Sequence, residues 1–148
     1  MIHPDTFKKV EFSGTKGLVF LKDKIVVYRR DSKTINSPGL IDLPGGGREE
    51  NESPFDTFIR EVMEEFGIRV TEKEIISSFR QNSHVNPGTK SFFFVTKSLD
   101  LGAEDIVFGD EGTEWFLMTP EDFLSRADGI ERQQKRVEKY LSGKMMSE

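Results

Sequence analysis

Residues 45–68 read Gly45-Gly46-Gly47-Arg48-Glu49-Glu50-Asn51-Glu52-Ser53-Pro54-Phe55-Asp56-Thr57-Phe58-Ile59-Arg60-Glu61-Val62-Met63-Glu64-Glu65-Phe66-Gly67-Ile68, a glycine turn running into the clearest helix of the chain. Ser53 is an N-cap, Pro54 suits the first helical position, Asp56 sits in the first turn, and Gly67 suits the C′ position. Phe55, Phe58, Ile59, Val62 and Phe66 recur at helical spacing and predict one buried stripe. Against that stripe the helix carries Glu61, Glu64 and Glu65 at i, i+3 and i+4, where each like-charge pair costs about 0.2–0.5 kcal/mol. They lie towards the C-terminal end, where the helix dipole also disfavours negative charge. A divalent cation would relieve both penalties. An isolated Glu-x-x-Glu-Glu is ordinarily a solvated face; the glycines, Glu52 and Arg60 at fixed distances argue for more.

Composition narrows the cation. The 148 residues include no Cys and two His, so thiolate sites, disulfides and cysteine nucleophiles are excluded and a zinc site, which usually draws on several Cys or His, is not expected. Oxygen ligands alone point to Mg²⁺ or Mn²⁺. With 35% hydrophobic and 32% charged residues and thirteen Phe, the chain has material for one compact domain, residues 1–148. The formal charge of −5 argues against a long nucleic-acid track. No apolar run approaches the roughly 20 residues of a membrane span, and residues 1–5 lack the layout of a secretory signal, so a cytoplasmic protein with no membrane partner is expected. A homodimer is left open.

Outside the helix, residues 17–21 and 25–28 flank the polar turn Lys22-Asp23-Lys24 and predict a β-hairpin; residues 31–39 read as a loop and 40–43 as a brief strand ended by Pro44. Further strands are expected at 75–79, 92–95 and 115–117. A short helix should start at Thr119-Pro120, and a last helix over 130–141 should bury Ile130, Val137, Tyr140 and Leu141 before Gly143 stops it. Strands interleaved with three helices imply an α/β fold, a mixed β-sheet between helices.

From Gly46, five residues lead to Glu52 and seven more to Arg60-Glu61-Val62-Met63-Glu64-Glu65-Phe66-Gly67-Ile68. This resembles the box of the Nudix hydrolase family of MutT-like proteins, Gly-x5-Glu-x7-Arg-Glu-U-x-Glu-Glu-x-Gly-U with U a bulky aliphatic, at every position. The resemblance implies an α/β/α sandwich and hydrolysis of diphosphate linkages in nucleoside diphosphate derivatives, with Mg²⁺ or Mn²⁺. It implies Glu64 and Glu65 as principal metal ligands, Glu61 as a further ligand or the base, and Arg60 and Glu52 as groups that hold a carboxylate and the loop. The Gly46 carbonyl would be another ligand. A further Glu commonly comes from a loop before a later strand; Glu111 is the candidate and Glu114 its rival. The family commonly has Trp shortly before Leu-Pro-Gly-Gly, where this chain has Ile41, so no base preference is carried over.

Arg29, Arg30 and Arg48 are candidates to clamp phosphate oxygens, although each alone is more often surface charge. Phe92-Phe93-Phe94 could place a ring under a base, but aromatics in a strand are usually core; Trp115 is similarly ambiguous. His84 lies in a turn-rich loop, a candidate cover for the site rather than a catalytic group. The expected function is pyrophosphohydrolysis of a nucleoside triphosphate, including an oxidised one, or another nucleoside diphosphate derivative. The alternatives are ADP-ribose, nucleotide sugars or dinucleoside polyphosphates as substrates, and a silent nucleotide-binding module, which usually lacks some box carboxylates.

Overall fold

The computed structural model describes residues 1–148. In chain order the elements are β1 (Gly14–Leu18), β2 (Phe20–Leu21), β3 (Lys24–Arg30), β4 (Ile41–Asp42), α1 (Pro54–Phe66), β5 (Ile75–Asn82), β6 (Lys90–Thr96), β7 (Gly112–Met118), α2 (Pro120–Ser125) and α3 (Glu131–Leu141). The caps of α1 work as its sequence dictates. Ser53 Oγ accepts from the Asp56 N–H at 3.1 Å and Asp56 Oδ2 accepts from the Ser53 N–H at 3.1 Å, while Gly67, with φ of 67°, closes the last turn onto the Met63 carbonyl at 2.9 Å.

The strands form two sheets. In one, β6 lies between β1, parallel to it, and β5, antiparallel to it. In the other, β7 pairs along one edge of β3, and β2 and β4 pair with successive parts of the other edge. The expected mixed sheet is thus divided, and the division falls inside residues 17–21. Gly17 and Leu18 belong to β1 and pair with β6, whereas Phe20 and Leu21 belong to β2 and form the hairpin with β3. Leu18, Val19 and Leu21 are all buried, so the apolar run holds no periodicity that marks where the chain changes sheets.

Side chains alternate across each strand, and the layers follow. Phe92 and Phe94 face α1, where Phe58 stacks on Phe94 with centroids 4.7 Å apart and Phe55, Val62 and Phe66 complete the layer. Phe93 and Val95 face the opposite side, with Phe123 of α2 and Val137 of α3. All three Phe rings are core, so none lies under a base. Trp115 packs half-buried against the α1 layer. Leu141, expected inside, is 42% exposed, because the packed face of α3 ends with Val137 and the half-buried Tyr140, and the chain turns away at Gly143. In its place α3 buries two polar side chains, Gln133 and Arg136. No helix is long and apolar enough to cross a membrane.

Candidate active site

The glycine turn between β4 and α1 is pressed against β1. Gly45 has φ of 128°, and a Cβ there would run into the Thr15 carbonyl; a Cβ at Gly46 would overlap the Glu61 carboxylate. The Gly46 carbonyl accepts the Thr15 N–H at 2.9 Å, which leaves it a second lone pair, and the Gly45 N–H donates to Glu65 Oε1 at 3.0 Å. Backbone and carboxylates therefore meet with no side chain between them.

Glu61 and Glu65 of α1 converge with Glu111, which precedes β7, and one carboxylate oxygen of each lies within 4.8 Å of the others. Glu65 is 2% exposed. Its Oε2 has no hydrogen-bond partner, and the other buried side-chain oxygen without one is Thr15 Oγ1, on β1 against which the glycine turn lies. Burial pushes the Glu65 carboxyl well above the ordinary carboxylate value, against the pull of Lys16 and the Gly45 N–H, and Glu61 and Glu111 push it further. Glu61 is raised too, by burial and then by Glu111 and Glu64, against the hydrogen bond from Arg60. An orphaned buried carboxylate oxygen, two neighbouring carboxylates and only hard oxygen donors fit a divalent cation.

Arg60 braces this group. Its Nε donates to Glu52 Oε2 at 2.8 Å, Nη1 to Glu61 Oε1 at 2.7 Å and Nη2 to the Gly47 carbonyl at 2.8 Å. Glu52 also accepts from Thr57 Oγ1 at 2.8 Å and the Glu49 N–H at 2.9 Å. These contacts, the Arg60 bond foremost, hold its carboxyl at about 2. Glu64 stands outside the trio: its side chain is half-exposed and accepts from Arg60 Nη1 at 3.2 Å. The rivals before β7 also separate, because Glu114 accepts from Arg29 Nε at 2.8 Å while Glu111 joins the trio.

Glu61 and Glu111 open on a cleft of about 400 Å³. Of the three arginines expected there, only Arg30 lines it, held by Asp42 Oδ2 at 3.0 Å. Arg29 is tied to Glu114 and Asp128, and Arg48 lies over the Phe12 ring and donates to the Glu52 carbonyl at 3.1 Å; neither lines the cleft. His84 stands on the rim, its pKa lowered by burial and by Arg136 and Arg132.

Two groups of cleft residues escape sequence reasoning. Lys16 Nζ donates to Asp42 Oδ2 at 2.9 Å and to the carbonyls of Leu43 and Gly45 at 3.2 Å, which pins the glycine turn to β1. Burial would lower its pKa, but Asp42, Tyr28 and Glu65 outweigh burial and raise it. Asp42, an acid inside the run Leu40-Ile41-Asp42-Leu43, was the available signal for this pair. The second group is Arg132 and Arg136 of α3, legible only as part of the cationic spacing Arg132, Lys135, Arg136, Lys139.

The NUDIX domain family model matches residues 14–140. The chain is 37% identical over 59 residues to the 8-oxo-dGTP diphosphatase of Proteus vulgaris, which covers 40% of this chain and 53% of that protein. It is 34% identical over 74 residues to diphosphoinositol polyphosphate phosphohydrolase 3-alpha of Mus musculus, covering 50% of this chain and 45% of that one. The chain thus spans about half the length of the curated relatives it matches. Among solved structures, the MutT protein of Methanosarcina mazei Go1 superposes with a TM-score of 0.73 at 20% identity, over 90% of this chain and 97% of that chain, a likeness of fold.

Proposed function

The chain belongs to the NUDIX domain family, and from that premise we propose that it is a Mg²⁺-dependent pyrophosphohydrolase, with Mn²⁺ able to substitute, that cleaves the diphosphate linkage of a nucleoside triphosphate or a related nucleoside diphosphate derivative. The observation that carries this reading is the buried carboxylate of Glu65, whose Oε2 has no partner, grouped with Glu61 and Glu111, two residues that line a cleft. A lone carboxylate oxygen in such a place is costly unless a cation completes it.

In this reading Glu61, Glu65 and Glu111, with the Gly46 carbonyl, hold the cation, and Glu64 serves from the solvent side. When bound, the ion neutralises phosphate charge and orients water for in-line displacement at phosphorus. Arg60 and Glu52 fix the Glu61 carboxylate, which restricts it to one orientation. Glu61 is a further ligand or the group that takes the proton of the attacking water, and in either role Arg60 fixes one of its oxygens. Lys16 keeps the glycine backbone in place beneath the phosphates.

The relatives' names span an oxidised nucleotide and an inositol polyphosphate, so the family alone leaves the organic group open. A panel of nucleoside triphosphates, ADP-ribose, nucleotide sugars and dinucleoside polyphosphates, each with Mg²⁺, tests the proposal. Nucleoside monophosphate plus pyrophosphate is the expected product pair from a triphosphate; two monophosphates would mark cleavage between two organic groups. Nucleotide binding with no product from any compound would overturn hydrolysis and favour a silent binding module.

A further inference from the structure

The cleft has a second, positive pole opposite its carboxylates. Arg136 of α3 is 7% exposed, and its hydrogen bonds run to neutral acceptors only: Gln133 Oε1 at 3.3 Å, the Asn82 carbonyl at 3.2 Å and Ser91 Oγ at 3.4 Å. Arg132, one turn earlier, reaches Ser37 Oγ at 3.4 Å. Neither guanidinium is in a salt bridge, although a buried cation is strongly disfavoured without a counter-charge. Burial, and then Arg132, lower the Arg136 pKa.

Both arginines line the cleft that holds Glu61 and Glu111. Both also line an adjoining depression of about 640 Å³, into which Lys135 and Lys139 extend the same helix face. Glu131, paired with Lys135 at 3.3 Å, and Glu148 also line that depression; Glu148 and Asp42 act on Arg136 through space, but neither forms an ion pair with it. A planar fork with free donors, held in place by burial, is suited to bind phosphate oxygens.

We propose that Arg132 and Arg136 form an anion subsite for a phosphoryl group beyond the two of the scissile linkage. The favoured substrates are then nucleoside triphosphates and longer polyphosphates, whereas ADP-ribose and nucleotide sugars, with only two phosphates, leave the subsite empty. This rests on the hydrolase reading above.

The test uses Arg132→Gln, Arg136→Gln and the charge-keeping Arg136→Lys in the full chain, with melting temperature as the control for folding. For a nucleoside triphosphate, KM should rise roughly tenfold or more in each Gln variant with kcat largely kept, while KM for ADP-ribose changes less than about twofold. Arg136→Lys should recover part of the loss. Half-exposed Arg132 keeps the test open if Arg136→Gln fails to fold. Independently, inorganic tripolyphosphate titrated calorimetrically into the metal-free protein should bind, and bind roughly tenfold more weakly to Arg132→Gln. Equal KM shifts for both substrate types, or none, together with arginine-independent tripolyphosphate binding, would overturn the subsite. A chain that hydrolyses nothing yet binds tripolyphosphate through these arginines would retain the subsite and lose the proposed activity.

Discussion

A carboxylate 2% exposed, with one oxygen on a backbone N–H and the other on nothing, is a charge that folding alone leaves unsettled. Glu65→Gln keeps the shape and the Gly45 contact but removes that charge, so turnover should drop by orders of magnitude while the melting temperature without metal holds or rises. Glu64→Gln, at a half-exposed position outside the trio, should cost markedly less; steady-state rates of the two variants at saturating Mg²⁺ decide between them, and equal losses would reject the division of roles. The signs of titration are also opposed within the site. Glu52 is held at about 2 against an ordinary 4.5, so its contribution to stability is present above pH 4.5 and is lost as pH falls from there towards 2. Glu65 is raised, so the metal-free native state binds more protons than the unfolded chain, and stability falls as pH climbs from 4.5 through the raised value. Metal-free melting curves against pH should show that decline, to which the raised Glu61 adds; Glu65→Gln should shrink it and saturating Mg²⁺ should suppress it. At this scale Arg60, Glu61 and Glu65 were legible because one helix and its spacing bring them together. Lys16 with Asp42, and Arg136 with the cleft, were not: their partners are joined only by tertiary folding, and an isolated Lys or Arg carries no mark of its future burial.

Elements built from local rules were the easiest to read, and α1 is the clearest case. Its N-cap, first-turn proline, apolar stripe and C-terminal glycine all act within a few residues of one another, and the observed helix, Pro54–Phe66, matches them. Ser53→Ala removes the acceptor for the Asp56 N–H and should cost about 1 kcal/mol of stability. Because Ser53 lies at the end of α1 away from Glu61 and Glu65, kcat should stay within about twofold of the parent, which for a factor of that size is under 1 kcal/mol in the barrier. Denaturant unfolding and steady-state kinetics on the same preparation check both halves; a large loss of kcat would mean that the cap positions the carboxylates over the length of the helix. Strand boundaries obey no such local rule. The run that becomes the end of β1 and all of β2 is apolar throughout, and only pairing with β6 on one side and β3 on the other decides where it divides. The last residue of α3 fails for a related reason: helical spacing marks a face, but where the supporting layer ends is a property of the neighbours.

Across the whole molecule the two poles of the cleft are supplied from opposite layers of the sandwich. The carboxylates of Glu61 and Glu65 stand on α1, against one face of the sheets, and Arg132 and Arg136 stand on α3, against the other. Adjacent residues of β6 support each side: Phe94 stacks on Phe58 beneath α1, and Phe93 belongs to the layer that contains Val137 of α3. Both rings are fully buried, so Phe94→Leu and Phe93→Leu, which lose volume without leaving the large cavity of an alanine, should each destabilise by about 1–3 kcal/mol. Their kinetic effects should part. Slack beneath α1 lets the carboxylates move relative to Gly46, so Phe94→Leu should lower kcat. Slack beneath α3 leaves those carboxylates in place and loosens the arginines, so Phe93→Leu should raise KM for a nucleoside triphosphate with kcat nearly unchanged. Matched losses of stability remove the trivial explanation that one variant is simply less folded. If both variants move kcat and KM alike, the sheets transmit slack from one layer to the other, and the separation of chemistry from phosphate binding across the sandwich is wrong.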